Sequence, residues 1–332
     1  MKKLFNGKKI LVTGGTGSFG HQIVDRLMNE NPAEIRIFSR DEKKQYDMQY
    51  EYIGNHKLRY IVGDVRNKES LISAMREVDI VFHAAALKQV PSCEYNPFEA
   101  VKTNTIGAQN VIESALHNNV EKVIAISTDK AVEPVNVMGM SKSIQERLIT
   151  SANIHRDGKR TVFACVRYGN VLGSRGSVIP VFRNQIDNNR NLTLTDYAMT
   201  RFILTLDNAI DLVFKSVEYA LGGEIFVLKI PAHTVLELAE VMIEASGKKL
   251  KIVNTGIRPG EKIHETLVSP TESIRTLEKE NLYIILPQVE IKEVENKYKK
   301  YINKNLFRFS SDTAERLNKK EIKAMLKKEK WI

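Results

Sequence analysis

Cysteine is scarce: Cys93 and Cys165 are the only two in 332 residues. Two thiols cannot build a disulfide framework, and no CxxC pair offers a zinc or redox centre, so a reducing, cytoplasmic setting is expected. Long apolar runs are also missing. No stretch approaches the roughly 18 residues a membrane-spanning helix requires, which excludes a membrane-embedded class and a membrane partner. Met1-Lys2-Lys3 is basic, but the following Ile10-Leu11-Val12 is cut short by Thr13-Gly14-Gly15 and reads as a strand rather than a signal peptide. The 7 histidines show no HExxH or paired spacing, so no metal is expected. Internal repeats are lacking, and the only biased segment is a lysine-rich end.

Negative charge is in short supply. The formal net charge is +10, and residues 290–332 hold 13 Lys/Arg against 7 Asp/Glu. No RNP-like aromatics, zinc-finger spacing or basic zipper accompanies that tail, so the lysines read as a solvated face and nucleic acid is not an expected partner. A basic balance does suit small anionic substrates.

What is present is rhythm. Lys9–Thr13, Glu34–Ser39, Lys57–Gly63, Asp79–Ala84, Lys122–Ser127 and Thr161–Tyr168 are apolar and strand-length, with helical patterns at Phe19–Asn29, Lys68–Arg76, Ala100–Asn118 and Met140–Ala152 between them. Runs such as Val123-Ile124-Ala125-Ile126 suit strands buried on both faces. The fold class is therefore α/β, a Rossmann-type doubly wound parallel sheet. After about Asn170 glycines and Pro180 crowd together and the elements shorten. Helices are predicted at Leu206–Ala220 and Val235–Ser246, and strands at Glu224–Leu228 and Leu250–Asn254. The expected division is a nucleotide-binding domain at 1–175, with a returning segment near 204–230, and a smaller, partly interleaved substrate domain with a C-terminal extension at 176–332.

The first strand runs directly into Gly14-Gly15-Thr16-Gly17-Ser18-Phe19-Gly20 and a helix, the context a dinucleotide fingerprint requires. Such glycines make the tight turn, admit a pyrophosphate to the backbone and let the helix pack closely, while the helix N-terminus offers its unpaired N–H groups. Thr13, Gly14, Thr16, Gly17, Ser18, Phe19 and Gly20 are thus candidate cofactor residues. Asp64-Val65 and Ala84-Ala85-Ala86 end the third and fourth strands at the same carboxyl edge, where open sheets bind ligands. At the end of the second strand, Ser39 and Arg40, with Lys43 one turn on, can hold a 2′-phosphate, whereas Asp41 alone would argue for NAD; the expectation is NADP.

The fifth strand ends in Ser127-Thr128-Asp129-Lys130. Taken with Thr13–Gly20, Ile37–Asp41, Ala84–Pro91, Arg167–Val171, Arg175–Pro180, Met199–Phe202 and Arg258–Lys262, this resembles the extended short-chain dehydrogenase/reductases, and more narrowly the nucleotide-sugar 4,6-dehydratases of capsule and O-antigen synthesis. The superfamily's Tyr-x-x-x-Lys is replaced by Met138-Gly139-Met140-Ser141-Lys142. A spacing of four stacks Met138 and Lys142 on one face, but a thioether cannot take a proton. Met-x-x-x-Lys, together with Leu87–Glu94, is similar to the UDP-N-acetylglucosamine 4,6-dehydratases that also invert C5.

That resemblance implies internal oxidation–reduction. Hydride leaves sugar C4 for NADP⁺, water is lost across C5 and C6, and hydride returns to C6. It implies Asp129 as the acid for the departing C6 hydroxyl and Lys130 as the base for the C5 proton, a role favoured if cationic NADP⁺ and Lys142 keep Lys130 neutral. Lys142 would hold the nicotinamide ribose, and Lys88, Asn104 and Tyr168 would join the cofactor site. Without tyrosine, C4-hydroxyl deprotonation through Thr128, Asp129 or water stays open, as does the donor that returns a proton to C5, for which Lys88 is a candidate. For UDP-N-acetylglucosamine the resemblance implies contacts from Lys88, Asn170, Ser177, Val178, Thr200, Arg201, Arg258 and Glu261. It further implies a homo-oligomer, a dimer or hexamer, with helices Ala100–Asn118 and Met140–Ala152 at the dimer face. Two alternatives are an NAD-dependent UDP-sugar 4-epimerase and a catalytically inert NADP-binding subunit.

Overall fold

Each apolar run of the first half forms a strand: β1 (Lys9–Thr13), β2 (Glu34–Ser39), β3 (Leu58–Val62), β4 (Ile80–His83), β5 (Lys122–Ile126) and β6 (Val162–Arg167). The computed structural model describes residues 4–156, 158–174, 176–302 and 305–332. Met1-Lys2-Lys3 and Arg175, named above, lie outside the described residues. The order β3-β2-β1-β4-β5-β6 is parallel throughout. It continues into Ile225–Leu228, parallel to β6, and ends in the antiparallel pair Leu282–Ile285 and Thr276–Lys279, nine strands in all. Val123 to Ile126 are all buried, as a sheet covered on both faces demands.

Two sets of helices cover it. Ser18–Met28 packs on Leu206–Tyr219, while Lys68–Ala74, Gly107–His117 and Val137–Ser151 pack in sequence with one another. β1 and β4 are neighbours although β2 and β3 intervene in the chain, so the chain reverses direction across the sheet between them. A crevice opens at their carboxyl ends, where ligands bind in such folds.

Some elements differ from the sequence expectation. The helix predicted over Ala100–Asn118 is interrupted by a π-helical stretch, Val101–Ile106. The widened turn carries Asn104, whose side chain bonds both backbone groups of Leu87 (2.8 and 2.9 Å) and Ser141 Oγ (2.9 Å). The helix predicted from Met140 begins at Val137, because Asn136 accepts from the Gly139 N–H at 2.7 Å and so caps it earlier. The helix Glu42–Glu51 carried no periodic signal, since only Gln45 and Met48 of it are buried.

A second apolar cluster gathers Phe182, Leu238, Met242, Ile322 and Leu326 from the helices Val178–Asp187, Val235–Ser246 and Lys319–Lys328. The lysine-rich end is thus an amphipathic helix, with Ile322 and Leu326 inward and Lys319, Lys320, Lys323, Lys327 and Lys328 in solvent. Among the described residues no helix is long and apolar enough to cross a membrane, and no group of His, Cys, Asp or Glu is arranged to hold a metal ion. Both cysteines are buried and unpaired.

Candidate active site

A cavity of about 840 Å³ follows the crevice from the glycine loop to the 258–261 turn. Its floor is the β1 end. Gly14 has φ +68°, and a Cβ there would sit 2.8 Å from the Ala85 nitrogen. At Gly20 a Cβ would meet the Gly14 carbonyl oxygen at 2.5 Å and Gly15 Cα at 2.6 Å. Only glycine permits the loop to lie this close to the strand end beneath it, which leaves the helix N-terminus open to an anion. Gly17, Ser18, Phe19, Asp64, Val65, Ala84, Ala85 and Ala86 complete this part of the wall. Thr13 lies beneath it instead, where its hydroxyl bonds His83 Nδ1 at 2.8 Å. Burial, and then the nearby Lys142, push His83 down to about 3, so it is neutral near pH 7.

At the β2 end, Thr16 and Ser39 share a 2.8 Å hydroxyl bond, and the half-exposed Arg40 reaches Asp64 at 3.5 Å. Asp41 turns away. Its carboxylate accepts from the Lys44 N–H at 3.0 Å and pairs with Lys44 Nζ at 2.5 Å, capping the Glu42–Glu51 helix. Lys43, expected at this rim, instead pairs with Asp47 on the exposed side of that helix, while Lys44 lines the cavity. The i,i+4 Asp47 outcompetes the cavity for Lys43.

Lys142 and Met138 stand one turn apart on the cavity wall. Lys142 Nζ donates to the Ile126 carbonyl and Gln145 Oε1, both at 2.6 Å, and burial lowers it to about 8. Met138 packs in a small apolar cluster with Cys93 and Ala100. Tyr168 lines the same wall, its ring 5.4 Å from that of Phe19, and burial raises its phenol well above the usual range. Asn104 is fully buried outside the cavity and meets its wall through Leu87 and through Ser141 on the helix of Met138 and Lys142.

The β5 end holds the densest group. Lys130 Nζ lies 2.9 Å from Asp129 Oδ1 and 3.4 Å from Glu265 Oε1, and the Thr128 hydroxyl donates to Asp129 Oδ1 at 2.8 Å. Burial pulls Lys130 down, but Asp129 and Glu265 outweigh it and hold the ammonium above its usual range. In the protein without cofactor, two carboxylates face Lys130, and Lys142 is engaged with Ile126 and Gln145. Asp129 is fully buried behind Thr128 and Lys130 and does not line the cavity; Glu265 does. Asp129 Oδ2 and Glu265 Oε2 are both buried without a hydrogen-bond partner. Glu265 was not foreseen, because it lies 135 residues from Lys130 in a stretch with no motif of its own.

Among the expected substrate contacts, Lys88, Asn170, Ser177, Val178, Arg201, Arg258 and Glu261 line the cavity. Ser127 Oγ, Asn170 Oδ1 and Ser177 Oγ are buried there without partners, polar atoms that a ligand would satisfy. Arg201 is less available than its sequence context suggested, since its terminal nitrogens donate to the carbonyls of Thr200, Lys262 and Ile263 at 2.7–2.9 Å. Thr200 stays outside, bonded to His264 and Ser311. Glu261 accepts from the Arg258 N–H at 3.3 Å and shapes the turn that presents the exposed Arg258.

The profile of the family described as "Polysaccharide biosynthesis protein" matches residues 10–287. A protein of Rickettsia bellii named UDP-glucose 4-epimerase is 45% identical, over 97% of this chain and 96% of its own length. The crystal structure of Pen from Bacillus thuringiensis superposes with a TM-score of 0.91 at 41% identity, covering 98% of this chain and 99% of that one. The fold is also that of the dTDP-glucose 4,6-dehydratase DesIV from Streptomyces venezuelae, solved with NAD and TYD bound. There the TM-score is 0.69 at 19% identity, over 90% of this chain and 92% of that one.

Proposed function

The chain belongs to the polysaccharide biosynthesis protein family, and from that premise we propose that it is a nucleotide-sugar enzyme of the extended short-chain dehydrogenase/reductase type. Its reaction is the 4,6-dehydration of UDP-N-acetylglucosamine with inversion at C5, and its product is a UDP-4-keto-6-deoxy-L-hexosamine for surface polysaccharide. The observation that carries this reading is the Thr128–Asp129–Lys130–Glu265 group, of which Thr128, Lys130 and Glu265 line one cavity with the glycine loop and Asp129 is buried against them. Elimination across C5 and C6 needs an acid and a base together, and this group supplies both kinds of side chain.

The glycine loop fits a dinucleotide, because the space a Cβ would fill at Gly14 and Gly20 is backbone-to-backbone contact. When bound, the nicotinamide supplies reversible hydride acceptance at C4. Asp41, the carboxylate that could accept from a ribose 2′-OH, is spent on Lys44, while Arg40 stands half exposed at the rim, which supports NADP over NAD. Lys142 would hold the nicotinamide ribose, its ammonium already oriented by Ile126 and Gln145.

Met138 cannot take the C4 hydroxyl proton. Thr128 faces the cavity and already donates to Asp129, so it offers a path from that hydroxyl to a buried carboxylate. Asn170, Ser177 and Arg258 would meet the nucleotide-sugar's phosphates and sugar. The name carried by the Rickettsia relative supports a second reading, a UDP-sugar 4-epimerase.

Mass spectrometry of UDP-N-acetylglucosamine incubated with the protein and NADP⁺ in deuterated water separates the readings. Loss of one water with deuterium at C5 is expected. Unchanged mass with inverted C4 overturns the dehydratase in favour of the epimerase, and an unchanged substrate with bound cofactor overturns both in favour of an inert subunit.

A further inference from the structure

We propose that Trp331, the single tryptophan of the chain, is a positioning residue for the nucleotide-sugar: its ring backs the stretch around Gly173 and so holds Asn170 and Ser177 at the cavity wall. This rests on the nucleotide-sugar reading above. It also gives the lysine-rich helix Lys319–Lys328 a task, which is to deliver that ring.

The turn after the helix sets where the ring goes. Lys330 is left-handed, with φ +59°; its N–H donates to the Lys327 carbonyl at 3.0 Å, and the Trp331 N–H donates to the Leu326 carbonyl at 2.8 Å. This pair of bonds ends the helix and folds the following residue back across it. The Trp331 carbonyl then accepts from Arg183 Nη1 at 2.7 Å, on the helix Val178–Asp187. Its side chain packs on the second apolar cluster, to which Leu172, Ile179 and Phe182 belong. Trp331 is thus fastened to the residues on both sides of Ser177.

The contact that matters is with Gly173. That glycine lines the cavity with φ +69°, and a Cβ on it would fall on three atoms of the indole ring. The ring therefore lies directly against the backbone. Trp331 does not itself line the cavity, so it acts on a ligand only through the residues it supports. Gly176 is confined in the same way by Gln89, on whose amide its Cβ would fall.

Between these supports stand two polar atoms that a ligand would satisfy. Asn170 Oδ1 and Ser177 Oγ are buried without partners, and Ser177 begins the helix Val178–Asp187 without capping it through its side chain. No hydrogen bond fixes either oxygen, so their places come from the backbone that carries them. Glycine restrains that backbone least, and a packed ring supplies the order that glycine lacks. Groups ordered before binding lose less freedom when the ligand arrives, which raises affinity without a new contact.

The coupling must be reciprocal: a support that tightens UDP binding is itself tightened by UDP. Isothermal titration should find UDP about tenfold weaker in Trp331→Ala, with NADP within about twofold of wild type. Trp331→Phe, which keeps an aromatic face, should recover most of that loss. In the wild-type protein, hydrogen exchange at the Trp331 backbone N–H should slow about tenfold with saturating UDP and hardly change with NADP, a reading that needs no variant to fold. Equal weakening of both ligands in Trp331→Ala, or exchange slowed equally by both, would make Trp331 a structural residue and overturn the role. Exchange that UDP leaves unchanged also overturns it. Wild-type affinity for UDP in Trp331→Ala overturns this role alone, whereas a wild-type protein that binds no UDP overturns the nucleotide-sugar reading and this role with it.

Discussion

Single residues decide which ligand the crevice prefers and at what pH. Arg40 stands half exposed at the β2 end, 3.5 Å from Asp64, and a charge-assisted bond from it to a 2′-phosphate is worth roughly 1.5–3 kcal/mol. Arg40→Ala should therefore raise the NADP dissociation constant by about tenfold or more while leaving that for NAD nearly unchanged, as isothermal titration would show. Lys142 sets the pH limit. Burial places its folded pKa at about 8, below the ordinary lysine value, so the ammonium that would hold a ribose is present below that pH and lost above it. Cofactor affinity should fall as pH rises from 7 to 9, and Lys142→Met should bind weakly across the range with no inflection near 8. Both side chains were legible in the sequence. Glu265 was not, because a lone glutamate outside any motif acquires meaning only from what folds against it.

Helix beginnings are the elements that join the two halves of the site. Asn136 caps Val137–Ser151 through the Gly139 N–H and also donates to the Gly260 carbonyl at 2.7 Å, so one side chain starts the helix carrying Met138 and Lys142 and pins the turn carrying Arg258. Asn136→Ala should cost about 1 kcal/mol in stability, as a lost cap does. It should also weaken UDP binding more than cofactor binding, a difference that paired titrations with UDP and NADP would reveal. Equal weakening would show the cap to be structural only. The π-helical turn at Val101–Ile106 plays a comparable part, aiming Asn104 at Leu87. Periodicity predicted one continuous helix over Ala100–Asn118 and gave no sign of the turn inside it. A one-residue change in hydrogen-bond spacing leaves almost no trace in an apolar pattern.

At the scale of the whole molecule, burial of titratable groups sets the acid limit. His83 and His233 are held neutral to about 3 and about 4, in both cases chiefly by burial. Between those values and the unfolded value near 6.5 the unfolded chain binds protons that the native one refuses, so stability must drop as pH falls through that window. Against burial, Arg167 holds Glu272 down at about 2, and that contribution, complete above the ordinary glutamate value, is lost as pH falls below it. Glu224, raised by burial, works the other way. The melting temperature should therefore decline from pH 6.5 to 4, and His233→Gln should flatten the slope; an unchanged slope would place the cause elsewhere. The doubly wound sheet, its glycine cradle and the Thr128-Asp129-Lys130 strand end all follow from local order along the chain, because apolar periodicity and turn chemistry act between near neighbours. The two carboxylates set against Lys130, the withdrawal of Asp129 and Lys43 from the cavity wall and the arrival of Glu265 came from tertiary structure alone. They depend on which distant side chains share a low-dielectric space, and electrostatic energy there is governed by distances of a few ångströms that no spacing in the sequence encodes.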